Sequence, residues 1–249
     1  GILTHTSLMV AAPAAADAVR RARSMPGLKV GLHLVVIEGP AILPPAAIPT
    51  LVDAEGQFPS DQLRLGVNYF FRPRVRRQLA AEIRAQFQAF ADTGLDLDHA
   101  NAHKHMHLHP TVGAMLVSIG REFGLPAIRI PAEPPRIMAR LGVRQGIGAC
   151  ALYAWTQLLR AQARSAGIAT NDHCFGLAWS GHMTADRVRS LLEVLPDGFS
   201  EIYFHPATKQ DAPLRRLMPD YAHAAELDAL LGCYRLDGRA ISHRDLGGG

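Results

Sequence analysis

The chain is poor in the features that would mark a disulfide scaffold, a membrane protein or a nucleic-acid binder. It has three cysteines in 249 residues, Cys150, Cys174 and Cys233, widely spaced and with no CxxC. An odd, dispersed set excludes a disulfide framework and a zinc ribbon and reads as small buried thiols in a reducing compartment. No stretch reaches the roughly 18 uninterrupted apolar residues of a membrane-spanning helix. The nearest, Ile147 to Leu159, is broken by Thr156 and Gln157. There is no initiator Met and no basic region ahead of the apolar segment from Ile2 to Ala16. Despite its Ala-rich end, that segment reads as a strand, Thr4 to Val10, turning at Pro13 into a helix, and a signal peptide is rejected. Aromatics are only 6% and do not interleave with the basic residues. Nucleic acid is therefore excluded as a partner despite the net charge of +4 and the pI of about 9.2. Internal repeats are absent, low complexity is confined to Gly247–Gly249, and no Asp-Asp pair occurs anywhere.

What is present is ordinary globular material, 48% hydrophobic and 19% charged, in a chain long enough to bury a sizeable core. Short apolar segments alternate with amphipathic ones. Strands are expected at His5–Val10, Lys29–Val36, Leu95–Asn101, Ala127–Ile130, His173–Leu177 and Glu201–Phe204. Helices are expected at Ala14–Ser24, Arg74–Thr93, Thr111–Phe123, Ile147–Ala166, Thr184–Leu195 and Tyr221–Leu231, several closed by glycine, as at Gly94, Gly124 and Gly167. Strand–helix alternation with continuously apolar strands predicts an α/β fold with a parallel sheet, and six or seven such units resemble a barrel more than a doubly wound sheet. The whole of residues 1–249 reads as a single domain. Two proline-rich segments, Ile37 to Asn68 and Ile130 to Gly146, follow strands directly and are expected to be long functional loops. The dense basic cluster Arg72, Arg74, Arg76 and Arg77 reads first as a solvated face, with a basic rim for anionic lipid headgroups as the alternative.

Histidine carries the chemistry. Five of the twelve histidines fall in the eleven residues from His99 to His109, within Leu97-Asp98-His99-Ala100-Asn101-Ala102-His103-Lys104-His105-Met106-His107-Leu108-His109-Pro110. In an extended segment His103, His105, His107 and His109 would share one face, because side chains at i and i+2 point the same way. Neutral imidazole is the commonest ligand for zinc-like ions, so this density outweighs the alternative of solvated histidines at a strand end. His33 sits inside the apolar Val30-Gly31-Leu32-His33-Leu34, and His205 follows the apolar Glu201-Ile202-Tyr203-Phe204. Alone, each would read as a core histidine. Three strands ending in histidine at one rim point to a common pocket.

The GLHL, NAHKHMH and YFHPA motifs, in this order and spacing, resemble the YdjC-like carbohydrate deacetylases over nearly the whole chain, down to Ala225-Glu226-Leu227-Asp228. The stretches GILTHTSLMV, KVGLHLVVIEGPAILPP and IPTLVDAEGQF are most similar to the hopanoid-biosynthesis-associated branch.

That resemblance implies a TIM-barrel-like α/β fold and a divalent ion, Mg or Zn, held by an Asp and two histidines, here His33 and His103. It implies Arg129, His105 and His107 as substrate contacts and His205 as the acid that protonates the leaving amine. Lys104 stands where the family commonly has histidine. The implied reaction releases acetate from an N-acetylated amino sugar, in this branch one attached to a polycyclic lipid. The expected setting is cytoplasmic, at the inner face of the membrane, with peripheral membrane contact and a homo-oligomer among the expectations.

The family's opening Ala-Asp-Asp-Phe-Gly strand has no counterpart here, and Asp17, Asp96 and Asp98 lie in other contexts. The chain is therefore expected to be N-terminally incomplete, lacking the first strand and helix, a weak metal binder and a poor catalyst. Two other readings stand beside this one. A metal-dependent amidohydrolase or phosphoesterase shares HxH but places it on the first strand, and a non-catalytic metal- or lipid-binding protein would fit the missing carboxylates.

Overall fold

The computed structural model describes residues 3–144 and 146–232. They group into two compact units, one formed by residues 4–129 and 158–170, the other by residue 3 with residues 130–157 and 171–232.

The first unit contains β1 (His5–Leu8), α1 (Ala15–Arg23), β2 (Lys29–Leu34), α2 (Gln62–Phe71), α3 (Pro73–Asp92), β3 (Leu97–Ala102), a 3-10 segment (His103–Leu108), α4 (Pro110–Glu122) and β4 (Ala127–Ile128). The second contains α5 (Pro135–Arg140). Helix α6 (Ile147–Ser165) begins in the second unit and ends in the first, where β5 (Ala169–Thr170) follows. The rest of the second unit is β6 (His173–Phe175), α7 (Ala185–Leu192), β7 (Ser200–Ile202), α8 (Ala212–Leu217) and α9 (His223–Gly232).

Strands β1 to β5 form one sheet in the order β1-β2-β3-β4-β5, every pair parallel. Sequential neighbours with no reversal of order are the arrangement of a (β/α) barrel, whereas a doubly wound sheet would reverse at a switch point. β2 shows why: apolar residues occupy both of its faces, so both must be covered, and Leu32 and Leu34 are fully buried. The helices cover them with stripes such as Leu79, Ile83, Phe87 and Phe90 of α3. Gly94 and Gly124 end α3 and α4 in left-handed conformations, φ +68° and +69°, that side chains with a Cβ resist. In the second unit β6 and β7 pair in parallel, and Phe175, Met183, Val188, Leu191, Met138 and Ala229 form the core.

Several expectations need correction. The Ile37–Asn68 segment is not wholly loop: α2 starts inside it, capped by the Asp61 carboxylate, which accepts from the Arg64 N–H at 2.9 Å. Apolar residues on two sides of α2 hid its period. The remainder is anchored by the fully buried Glu82, whose carboxylate accepts the Ile42 and Leu43 N–H groups at 2.8 and 2.9 Å. The second proline-rich segment contains α5, with Pro135 at its first position. β5 is two residues long and gave no periodic signal. Cys150 is exposed, contrary to the buried-thiol expectation, while Cys174 is buried, both are free, and Cys233 lies outside the described residues. Among the described residues no helix is long and apolar enough to cross a membrane.

Candidate active site

The centre of the first unit's polar cluster is a pair of parallel strands. His33 on β2 and Asn101 on β3 are register partners, and the Asn101 amide lies 2.5 Å from His33 Nδ1. A hydrogen-bonded row continues from there. The Asn101 amide is 2.8 Å from Ser7 Oγ, Ser7 Oγ is 3.0 Å from His99 Nε2, and His99 Nδ1 is 3.1 Å from the buried Asp98 carboxylate.

Ser7 and His99 come from strands separated by β2. They meet because Gly31, the β2 residue beside Ser7, has no side chain. A Cβ there would stand 2.5 Å from the His99 carbonyl oxygen and 2.6 Å from its ring. The glycine of the GLHL motif is thus required by the row that passes over it.

The row admits two proton arrangements. In one, His99 Nδ1–H donates to Asp98, Ser7 donates to His99 Nε2, and the Asn101 NH2 donates to Ser7. His33 Nδ1–H then donates to the amide oxygen. This leaves a lone pair on His33 Nε2 and needs no charge on His99. In the other, the amide is turned over, so that its oxygen accepts from Arg129 Nη1 and Nη2 at 3.1 and 3.3 Å and from Ser7 Oγ, and its NH2 donates to His33 Nδ1. His33 then carries its proton on Nε2. The amide of Asn101 therefore selects which nitrogen of His33 is available, and Arg129 biases the choice.

His33 and His103 lie side by side, ring centroids 5.7 Å apart and nearly perpendicular. Burial pushes the His33 pKa down to about 3, with the nearby His103 adding to the effect. Burial and Lys104 lower that of His103, against an opposing pull from Glu38. Both imidazoles are thus held neutral, the form that ligates metals. Among the described residues, however, no group of three or more His, Cys, Asp or Glu side chains is arranged to hold an ion. The pair would supply two ligands, not a complete set.

The HKHMHL run is not extended, which corrects the expectation that its histidines share one face. It is a 3-10 segment with Lys104 (φ 49°, ψ 30°) and His105 (φ 53°, ψ 29°) in the left-handed region. Each such residue costs about 1–2 kcal/mol. Among the described residues the non-glycine positions with positive φ are Glu38, Lys104 and His105. All three gather at His103: the Glu38 carboxylate pairs with Lys104 and lies 3.9 Å from His103 Nε2. Backbone strain of this kind persists only where surrounding structure over-determines it, and it concentrates at functional sites. His105 remains partly accessible, whereas His107 is buried and its Nε2–H donates to the Arg129 carbonyl at 3.0 Å.

His205 belongs to the second unit. Its backbone N–H donates to the fully buried Glu226 carboxylate, which also accepts the Met183 N–H at 3.0 Å. Its carbonyl accepts from His223 Nδ1–H at 2.6 Å. Tyr203 and Tyr221 lie edge-on to its ring, centroids 5.5 and 5.1 Å away.

The structure thus brings His33, His103 and Arg129 together at the carboxyl ends of β2, β3 and β4 and sets His107 beneath Arg129. Sequence reasoning missed Asn101, Ser7 and Glu38. The alternation of His99 and Asn101 within an otherwise buried strand is the signal that could have found the row.

A profile of the YdjC-like protein family matches residues 1–233. A carbohydrate deacetylase of Geobacillus stearothermophilus is 29% identical over 209 residues, which cover 83% of this chain and 69% of that protein. A carbohydrate deacetylase of Brevibacillus brevis is 33% identical over 131 residues, covering 53% of this chain and 49% of that protein, so there the chain spans about half the relative's length. A crystal structure from Enterococcus faecalis V583, provisionally described as a cellobiose-phosphate cleavage protein, superposes with a TM-score of 0.67 at 23% identity over 92% of this chain and 80% of that one. That likeness supports the α/β fold read from the strand order.

Proposed function

The chain belongs to the YdjC-like protein family, and from that premise we propose that it is a hydrolase that removes the N-acetyl group of an amino sugar, giving acetate and the free amine. The relatives named carbohydrate deacetylases support the reaction class. The observation that carries the site is the neutral His33–His103 pair, 5.7 Å apart, ringed by the strained Glu38, Lys104 and His105.

In this proposal His33 and His103 are two of the ligands of a divalent ion, Mg or Zn. Such an ion supplies polarisation of the acetyl carbonyl and a lowered pKa for water. The chain's own groups do the rest. With the Asn101 amide oxygen turned toward His33 Nδ1–H, Nε2 presents its lone pair, and a bound ion would select that orientation over the one in which the oxygen accepts from Arg129. Arg129 and His105 contact the sugar, and His107 holds the Arg129 backbone. As water adds to the carbonyl and the C–N bond breaks, the departing nitrogen needs a proton. His205 is assigned that role because an imidazole is partly protonated near neutral pH, and its backbone is fixed on both sides by Glu226 and His223. The finer substrate, a hopanoid-linked N-acetylglucosamine, rests on the GILTHTSLMV, KVGLHLVVIEGPAILPP and IPTLVDAEGQF stretches.

Acetate release from N-acetylglucosaminyl glycosides, with and without a polycyclic lipid aglycone, tests the reading. Metal-dependent release that is lost in His103→Ala supports it; no release from any N-acetylated sugar opposes it.

A further inference from the structure

Helix α2 has two apolar faces, one buried and one largely exposed, where the Phe70 ring meets His109 edge-on, centroids 6.2 Å apart. Leu65 and Tyr69 point inward and are 4% and 0% exposed, and the Tyr69 hydroxyl donates to the Val36 carbonyl at 2.6 Å. The opposite face carries Leu63, Val67, Phe70 and Phe71, which are 79%, 50%, 49% and 71% exposed. Their i, i+4, i+7 and i+8 spacing makes one stripe along the helix. The Phe70 and Phe71 rings touch edge to face, centroids 4.9 Å apart. Because Tyr69 and Leu65 fix the helix, the stripe is held out on a rigid element.

Exposed positive charge is concentrated in the same stretch of chain as the stripe. Arg64 is on α2, Arg72 joins α2 to α3, and Arg74, Arg76 and Arg77 occupy the first turns of α3, all of them exposed. Residues 61–81 contain these five arginines and one acid, Asp61, for a net of +4. Removing them from the chain's totals of 26 basic and 22 acidic residues leaves 21 of each. A net charge equal to that of the whole protein thus lies within ten residues of Phe70 and Phe71 in the sequence.

We propose that this surface docks on an anionic lipid bilayer, with Leu63, Val67, Phe70 and Phe71 entering the headgroup–acyl boundary and the arginines pairing with phosphates. An in-plane helix with bulky apolar residues on one side and arginines along its border is the chemistry of interfacial binding. A second copy of the chain fits poorly, because a two-fold contact through the stripe would set one +4 cluster against another. A nucleic acid would leave the four apolar side chains in water. The surface stands independently of the substrate proposed above.

Co-sedimentation with vesicles of phosphatidylcholine mixed with phosphatidylglycerol, and with pure phosphatidylcholine, tests the proposal. The protein should bind the anionic vesicles, more weakly in high salt, and not the neutral ones. Phe71→Ser with Leu63→Ser, and separately Arg74→Glu with Arg76→Glu, should each lower binding by at least about tenfold. Being exposed, these positions should leave the thermal midpoint unchanged. Equal binding to both vesicle types, no binding to either, or variants that bind like the parent would overturn it. Concentration-dependent dimerisation that Phe71→Ser abolishes, without vesicle binding, would assign the surface to a second copy instead.

Discussion

His33 and Asn101 face each other across the parallel β2–β3 pair, 2.5 Å between the ring Nδ1 and the amide, so the amide decides which imidazole nitrogen is free. Asn101→Ala removes that decision and should weaken binding of a divalent ion by about 10–100-fold. Asn101→Asp can only accept from Nδ1–H and should bind the ion at least as tightly as the parent. Titration calorimetry with Zn on dialysed protein checks both. Equal affinity in Asn101→Ala and the parent would detach Asn101 from the site.

Gly31 is a packing requirement. An alanine Cβ there would overlap the His99 carbonyl and ring at 2.5–2.6 Å. Gly31→Ala should cost about 1–3 kcal/mol, as overpacked sites do. Gly27→Ala, with nothing within 4 Å, should leave stability near that of the parent. Urea unfolding of the two variants distinguishes a specific clash from a general intolerance of change near β2.

Acid should destabilise the protein through His33. In the folded state its pKa is near 3, whereas in the unfolded chain it takes a proton near 6.5. Between those values the unfolded state binds more protons, so the contribution is full above about pH 6.5 and is lost as pH falls toward 3. The full shift corresponds to at most about 5 kcal/mol, less what the ring's residual accessibility restores. His103 acts in the same direction. Glu82 and Glu133, raised by burial, act in the opposite one. The diagnostic is therefore the difference between the parent and His33→Gln in urea midpoint from pH 7 to 4. The variant should lose less, and parallel curves would show that His33 is not held neutral.

His205 and Glu226 should separate chemistry from positioning. His205→Ala should lower deacetylation turnover by roughly two to four orders of magnitude while sparing ion binding. Glu226→Gln keeps an acceptor for the His205 N–H and should cost less, with a shifted pH–rate profile. Full activity in His205→Ala would make it structural and move the acid role to His105 or His107.

Much of this was legible in the residues. Six of the strands and six of the helices were expected where they occur, because apolar runs covered on both faces and single amphipathic stripes leave unambiguous patterns. Helix α2 was not legible, since Leu63, Val67, Phe70 and Phe71 fill the face that should have been polar. The histidine run was seen but its shape was not: the left-handed conformation of Lys104 and His105 accompanies an ion pair between Lys104 and Glu38, which is far away in sequence. The row from Asp98 to His33 likewise depends on three strands meeting over Gly31, a tertiary fact that no single strand displays.

The central claim is that His33 and His103 together hold one divalent ion. Metal content of dialysed protein, measured for the parent, His33→Ala, His103→Ala and the exposed control His182→Ala, tests it most directly. The expected result is a stoichiometry that falls in both site variants and is unchanged in His182→Ala; equal metal in all four proteins would contradict the account.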